Sequence, residues 1–306
     1  MFFNYRKNQI ELNSDTYKNY IYILSSDRLL VELYDSAKSR KGVHSSVFRA
    51  VDSNGDEPEL IVKFCNCHDK WISNFSNRQR GRFKREIEAL QKARESQYND
   101  KIIEIYESGE YEINKCNFLF YVMEKADCDL KQFLTENILT LQNKIILCIK
   151  IMEALRTLHD MNIYHRDLKP DNIFLVGNLW KIGDLGLIAY RDEDFNLDKE
   201  TEKIGPMAYL SPEATNKAFA NRENREFVHD CEINDKSDIF QLGKLFWYIF
   251  QGNIPTGQLQ LEDFKIGDEE IFHKIIYPML YYKKSARPSI DDLRTTFKPI
   301  RERLFV

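Results

Sequence analysis

The sequence predicts an α+β chain of two lobes: a small lobe built on an antiparallel β-sheet with one main helix, then a larger, mainly α lobe. Three observations carry that expectation. Residues 28–125 alternate short apolar runs with turn residues, the pattern of paired strands. One stretch among them, residues 80–95, switches to a helical period. From residue 126 to residue 306 long helical patterns dominate.

The elements follow in order. Residues 1–27 are polar and aromatic without strong periodicity and read as an N-terminal extension packed on the first lobe. LLVELYD and SSVFRAVD come next as strands, then the turn SNGDEPE, with Asn54-Gly55 in a hairpin-turn position, then LIVKF. Together they make an antiparallel meander. Its helix is RGRFKREIEALQKARE, in which Phe83, Ile87 and Leu90 recur at helical spacing among good helix formers. KIIEIYESGEY and FLFYVME supply two further strands. Beyond a short linker at 124–129, LQNKIILCIKIMEALRTLHDM and KSDIFQLGKLFWYIFQG carry apolar residues widely enough round the helix to lie in a core. Two lobes on a short linker leave a cleft, a usual place for a ligand.

Composition narrows the function classes. With 43% hydrophobic and 30% charged residues, 12 Gly and 8 Pro, the chain is an ordinary folded protein rather than a disordered or collagenous one. A net charge of −4 offers no global electrostatic attraction to nucleic acid, which is therefore not an expected partner. No run of about twenty apolar residues suits a membrane span, and Met1-Phe2-Phe3-Asn4-Tyr5-Arg6-Lys7 lacks the ordered regions of a signal peptide. The cytoplasm is the expected compartment; the oligomeric state is left open. The six cysteines are scattered without a C-x-x-C pair, so reduced thiols are expected. Cys65-Asn66-Cys67-His68 is the nearest approach to a metal cluster, but so short a stretch needs a distant second pair of ligands, and the sequence offers none.

The chemistry concentrates after the first long helix. His165-Arg166-Asp167-Leu168-Lys169-Pro170-Asp171-Asn172 is followed, twelve residues after Asn172, by Asp184-Leu185-Gly186. A hydroxyl nucleophile needs a carboxylate to take its proton, and side-chain oxygens of Asn and Asp are the hard ligands Mg²⁺ prefers. These stretches resemble the catalytic and metal-binding loops of eukaryotic-type (Hanks-type) serine/threonine protein kinases. The resemblance covers roughly residues 28 to 297 and implies the bilobal protein-kinase fold, ATP and Mg²⁺ as cofactors, and a protein substrate. It implies Asp167 as catalytic base, Lys169 as the charge stabilising the moving phosphoryl group, and Asn172 and Asp184 as metal ligands. Lys63, ending LIVK, would contact the α- and β-phosphates and pair with Glu86. Glu88 competes, but Leu90 lies one turn beyond Glu86, where the family places an apolar side chain. In FYVMEKADCDL, Met123 would guard the back of the pocket and the backbones of Glu124 and Ala126 would bond adenine. Asp129 would contact the ribose or cap the following helix, and Val47 would pack over the adenine ring. Ser211-Pro212-Glu213, Asp238 with Gly243, and Arg287 match the family's scaffold motifs; small-molecule kinases with a similar catalytic loop generally lack the first of these and its arginine, Arg287.

Several positions depart from the family pattern. Of three loop glycines only Gly42 is kept, with Arg40 and Ser45 at the other two, and glycines are what let backbone amides approach phosphate. Ile61 replaces the family's usual alanine, which should narrow the adenine pocket or tilt the base. Pro206 stands where serine/threonine kinases have threonine, whereas Lys169 follows the serine/threonine pattern, so dual specificity stays open. Arg166 before Asp167 implies control by phosphorylation of the segment 187–210, with Thr201 the best acceptor; the acidic residues around it, Asp198 among them, are the alternative source of negative charge. The expected activity is transfer of the γ-phosphoryl group of ATP to protein Ser/Thr, with autophosphorylation, by a divergent stand-alone kinase. A nucleotide-binding pseudokinase is the alternative that the poor glycine loop motivates, and a kinase-fold enzyme acting on a small molecule or nucleic acid is a third reading.

Overall fold

The computed structural model describes residues 1–33, 44–52, 55–191, 197–198, 202–219, 229–257 and 259–304, and the chain falls into two units, Met1–Ala126 and Asp127–Val306. Gly42, Arg40, Asn54 and Thr201 lie outside the described residues.

The first unit holds β1 (Phe2–Asn4), β2 (Gln9–Glu11), β3 (Tyr20–Ile23), β4 (Ser26–Glu32), β5 (Ser45–Asp52), β6 (Leu60–Cys65), α1 (Asn74–Glu95), β7 (Ile105–Ile113) and β8 (Cys116–Glu124). Strands β3 to β8 form one antiparallel sheet in the order β3-β4-β5-β6-β8-β7. Successive side chains point to opposite faces of a strand. The register Ser46↔Phe64↔Phe120 therefore lies on one face and Val47↔Lys63↔Tyr121 on the other. Helix α1 serves the second face, where the Phe83 ring packs on Tyr121 at 5.3 Å. It starts at Asn74, six residues before the expected run, because Ser73 and Ser76 cap each other: Ser73 Oγ accepts from Ser76 N and Ser76 Oγ from Ser73 N.

The other face is apolar, with Phe48, Phe64, Phe118 and Phe120 all buried, and it is closed by the residues expected to be an extension. The β1–β2 hairpin inserts Phe3 and Ile10 into this core, 5% and 0% exposed. Burial of two such side chains stabilises the unit by roughly 1.5–3 kcal/mol each. Strand β3 then pairs with β4 as the sheet's edge, burying Ile21 and Ile23. Residues 1–27 are thus part of the first unit, and residue 28 marks no structural break. The β3–β4 turn carries left-handed backbone at Leu24 and Ser25, φ 50° and 63°. That geometry normally asks for Asn or Gly; here Glu107 accepts from Leu24 N at 2.6 Å.

The second unit contains β9 (Cys128–Asp129), α2 (Leu130–Glu136), α3 (Leu141–Asp160), β10 (Ile163–Tyr164), β11 (Ile173–Val176), β12 (Leu179–Ile182), β13 (Ala189–Tyr190), α4 (Pro212–Phe219) and α5 (Asp235–Gln251), and ends in the helix Ile290–Leu304. Helix α5 is buried nearly all round, from Ser237 to Phe250, as a central core helix should be. Asn234 caps its start, and Gly252, at φ +76°, ends it in the left-handed conformation that glycine adopts without strain. Among the described residues no helix is long and apolar enough to cross a membrane.

Candidate active site

In the second unit, α5 sets the position of the loop 165–172. Asp238, fully buried, accepts from His165 N and Arg166 N at 2.8 Å each and from His159 Nε2 at 3.0 Å. Gln241, one turn further along α5, accepts from Leu168 N at 2.8 Å and donates to Arg166 O at 3.0 Å. His165 Nδ1 accepts from Asp167 N at 3.1 Å, which leaves Nε2 to donate to Gly183 O at 3.2 Å and fixes the neutral tautomer. Burial, outweighing its acidic neighbours, holds this imidazole below its usual pKa.

That frame allows backbone conformations a loop alone would avoid. Arg166 has φ 66° and Asp184 φ 54°, each costing about 1–3 kcal/mol unless the surroundings enforce it. Around Arg166 they do: its guanidinium donates to Leu187 O, Ile188 O and Asp198 Oδ2 at 2.5, 3.0 and 2.5 Å. Gly205, at φ +103°, backs the same turn; a Cβ there would lie 2.7 Å from Arg166 O and 2.9 Å from Gln241 Nε2. Only glycine fits.

The loop presents a compact polar cluster. Lys169 Nζ donates to Asp167 Oδ2 at 2.8 Å, and Asn172 Nδ2 donates to Asp167 Oδ2 at 2.9 Å and to Asp167 O at 2.8 Å. Burial pushes the Asp167 carboxyl above the usual aspartate range, and Lys169 opposes that shift without cancelling it. For Lys169, burial is outweighed by Asp167, Asp184 and Asp171, and its ammonium is held above the usual lysine range. Because the Asn172 amide nitrogen donates to Asp167, Oδ1 is its acceptor end. Asn172 Oδ1 and the exposed Asp184 carboxylate are both hard oxygens, the kind of donor that suits Mg²⁺.

Below this loop, Glu213 and Arg287 form a buried two-pronged ion pair, Nη1–Oε1 2.7 Å and Nη2–Oε2 2.9 Å, with Ser237 Oγ donating to the same carboxylate at 2.6 Å. Burial alone would raise the Glu213 pKa; Arg287 and Ser237 outweigh it and hold the carboxyl below its usual range.

In the first unit, Lys63 Nζ lies 2.8 Å from Glu86 Oε1, both side chains being nearly buried, while Glu88 is exposed. The Tyr121 hydroxyl donates to the same Glu86 oxygen at 2.9 Å. Tyr121 was not singled out from the sequence; as the direct cross-strand neighbour of Lys63 it is reached once the register is known. Gln241 was missed likewise, although its spacing of three from Asp238 puts both on one helix face. Val47 stands on β5 opposite Lys63, and Met123 on β8 opposite Ile61. The Glu124 N–H donates to Glu104 O at 3.0 Å. In the second unit Asp129 Oδ1 accepts from Gln132 N at 2.8 Å and caps α2. At the short Cys/His stretch, Cys116 joins His68 and Asp69 with ligand atoms within 4.8 Å, but both Asp69 oxygens already accept from Asn117.

Comparison with known proteins gives a family and several relatives. The family model described as "Protein kinase domain" matches residues 40–302. The serine/threonine-protein kinase MPS1 of Saccharomyces cerevisiae is 31% identical over 256 residues, covering 78% of this chain and 30% of the relative. The dual specificity protein kinase TTK of Mus musculus is 28% identical over 239 residues, 78% of this chain and 25% of the relative. The serine/threonine-protein kinase mph1 of Schizosaccharomyces pombe is 28% identical over 228 residues, 72% and 31%. The chain thus spans about a quarter to a third of the length of these relatives. With a family model matched over most of its residues, the chain belongs to the protein kinase family.

Proposed function

We propose that this chain is a catalytically competent protein kinase that transfers the γ-phosphoryl group of ATP to protein serine or threonine, itself included. The observation that carries the reading is Asp167, whose carboxylate is held by Lys169 and Asn172 in one loop. Asp167 takes the proton of the acceptor hydroxyl, and Lys169 carries positive charge toward the transferred group. Lys63, oriented by Glu86 and Tyr121, holds the α- and β-phosphates; Val47 and the backbones of Glu124 and Ala126 take the adenine, and Gly42 the phosphate loop. Asn172 and Asp184 would hold Mg²⁺, whose charge, when bound, screens the phosphates. Its fit rests on the donor chemistry of these two side chains. A scaffold without catalysis would not require Lys63, Glu86, Asp167, Lys169, Asn172 and Asp184 all to be present, as they are.

Serine and threonine are favoured as acceptors because Lys169 follows the serine/threonine pattern; Pro206 and a relative named for dual specificity keep tyrosine as the second reading. The cytoplasm is the proposed compartment, in keeping with six free thiols. The test is γ-labelled ATP, Mg²⁺ and a generic acceptor, beside Asp167→Asn. Transfer by the wild type and a loss of about 10²–10⁴-fold in the variant is expected. Equal labelling defeats the assignment, and ATP binding without transfer favours the scaffold.

For control of the site, a specific observation favours the second alternative. Arg166 is paired with Asp198, both side chains 3% or less exposed. We therefore infer that Asp198 supplies the anion a phosphate on Thr201 would otherwise bring to Arg166. Phosphatase-treated enzyme, shown by mass spectrometry to lack phosphate on Thr201, is expected to keep its activity, and Asp198→Asn to lose most of it. An activity that returns only with Thr201 phosphate would overturn this.

A further inference from the structure

The Ser46 hydroxyl holds together three segments far apart in sequence. Ile10 N on β2 donates to Ser46 Oγ at 3.1 Å, and Ser46 Oγ donates to Asn66 Oδ1 at 2.7 Å. All three residues are 0% exposed. Asn66 N in turn donates to His44 O at 3.0 Å, so the start of β5 is tied both to β2 and to the residue after β6. The hairpin's other strand is fastened separately. Phe3 N donates to Asn114 Oδ1 at 2.8 Å in the β7–β8 turn, and the Phe3 ring packs on Phe118 at 5.0 Å. Residues 1–12 are therefore a strap across one face of the sheet, pinned at the start of β5 and at the β7–β8 turn with the start of β8.

On the opposite face of the same strands stand Val47, next to Ser46, and Lys63, its cross-strand partner. A hydrogen bond that fixes the tilt and register of β5 at Ser46 also fixes where Val47 and Lys63 point, because consecutive side chains share one backbone. We propose that the N-terminal strap, acting through Ser46, positions the nucleotide-contacting side of β5 and β6. Ser46 is a positioning residue that touches no nucleotide. The inference rests on the proposed nucleotide role of Val47 and Lys63.

The test uses the full chain as wild type, Ser46→Ala, Ser46→Thr and Phe3→Ala, with melting temperature, KM for ATP and kcat measured well below each midpoint. Ser46→Ala removes the hydroxyl, and Phe3→Ala loosens the strap without touching Ser46 or Lys63. In both, KM for ATP is expected to rise about tenfold with kcat held within about twofold, the mark of lost nucleotide binding rather than lost chemistry. Ser46→Thr, which keeps the hydroxyl, is expected to restore KM. If Ser46→Ala does not fold, Phe3→Ala carries the same comparison. A lower melting temperature with unchanged KM in an active enzyme overturns the inference and leaves the function standing, as does failure of both variants to fold, for the strap is then only a piece of the core. A wild-type chain that binds no ATP overturns the functional reading and the inference together.

Discussion

The loop 165–172 and Lys63 are positioned in opposite ways. The loop is contiguous, and α5 reaches up to it with two side chains that between them bond four backbone groups, His165 N, Arg166 N, Arg166 O and Leu168 N. Lys63 depends instead on Glu86 from α1 and Tyr121 from β8, brought together by sheet register and helix packing. A frame with several bonds loses accuracy gradually. A buried ion pair is hit harder, because removing one partner takes the opposite charge away from the other.

Glu86→Ala is the sharpest way to expose that difference and carries the largest expected effect. It takes the Glu86 carboxylate away from an ammonium whose side chain is only 10% exposed, a loss of about 3–5 kcal/mol of stability for a buried pair. Nucleotide affinity should fall with it. Denaturant titration and ATP binding check both, and a variant as stable as wild type would show that Glu86 is not what holds Lys63. Asp238→Asn, in the α5 frame that holds the loop, should cost less, about 1–3 kcal/mol, since an amide oxygen can still accept some of the bonds that Asp238 accepts. Its kinetic signature should be a lower kcat with KM for ATP unchanged. A rise in KM alone would break the comparison, because the loop anchor would then be acting on nucleotide binding.

The same contrast explains how much was legible in the sequence. The loop 165–172 could be read because its chemistry and its spacing lie in eight consecutive residues. The pair Lys63–Glu86 needed only one step, the choice between two glutamates on one helix, made from the position of Leu90. Tyr121 and Gln241 act through side chains whose partners are set by β6–β8 register and by the buried face of α5, which a polar or aromatic residue does not announce. The first 27 residues were unreadable for a further reason. Strands of three and four residues are too short to show a period, and the β3–β4 turn uses Leu24-Ser25 where Asn-Gly would have signalled a hairpin.

The smallest expected effect is a shift in pH dependence, and it tests the loop at Asp167, the proposed base. Asp167 must be ionised to accept a proton, so activity falls as pH drops through its pKa. Burial raises that pKa, which places the acid limb of the activity profile above the usual aspartate range. Lys169, 2.8 Å away, opposes the rise by favouring the charged carboxylate. Removing the ammonium leaves burial less opposed, so Lys169→Met should move the acid limb to higher pH, in addition to lowering kcat. Lys169→Arg, which keeps the charge, should leave the limb close to its original position. The pH profile of kcat/KM at saturating Mg²⁺ reads the shift directly. An acid limb that stays put in Lys169→Met would mean that Asp167 does not titrate in this range, and that the group limiting activity at low pH lies outside the loop.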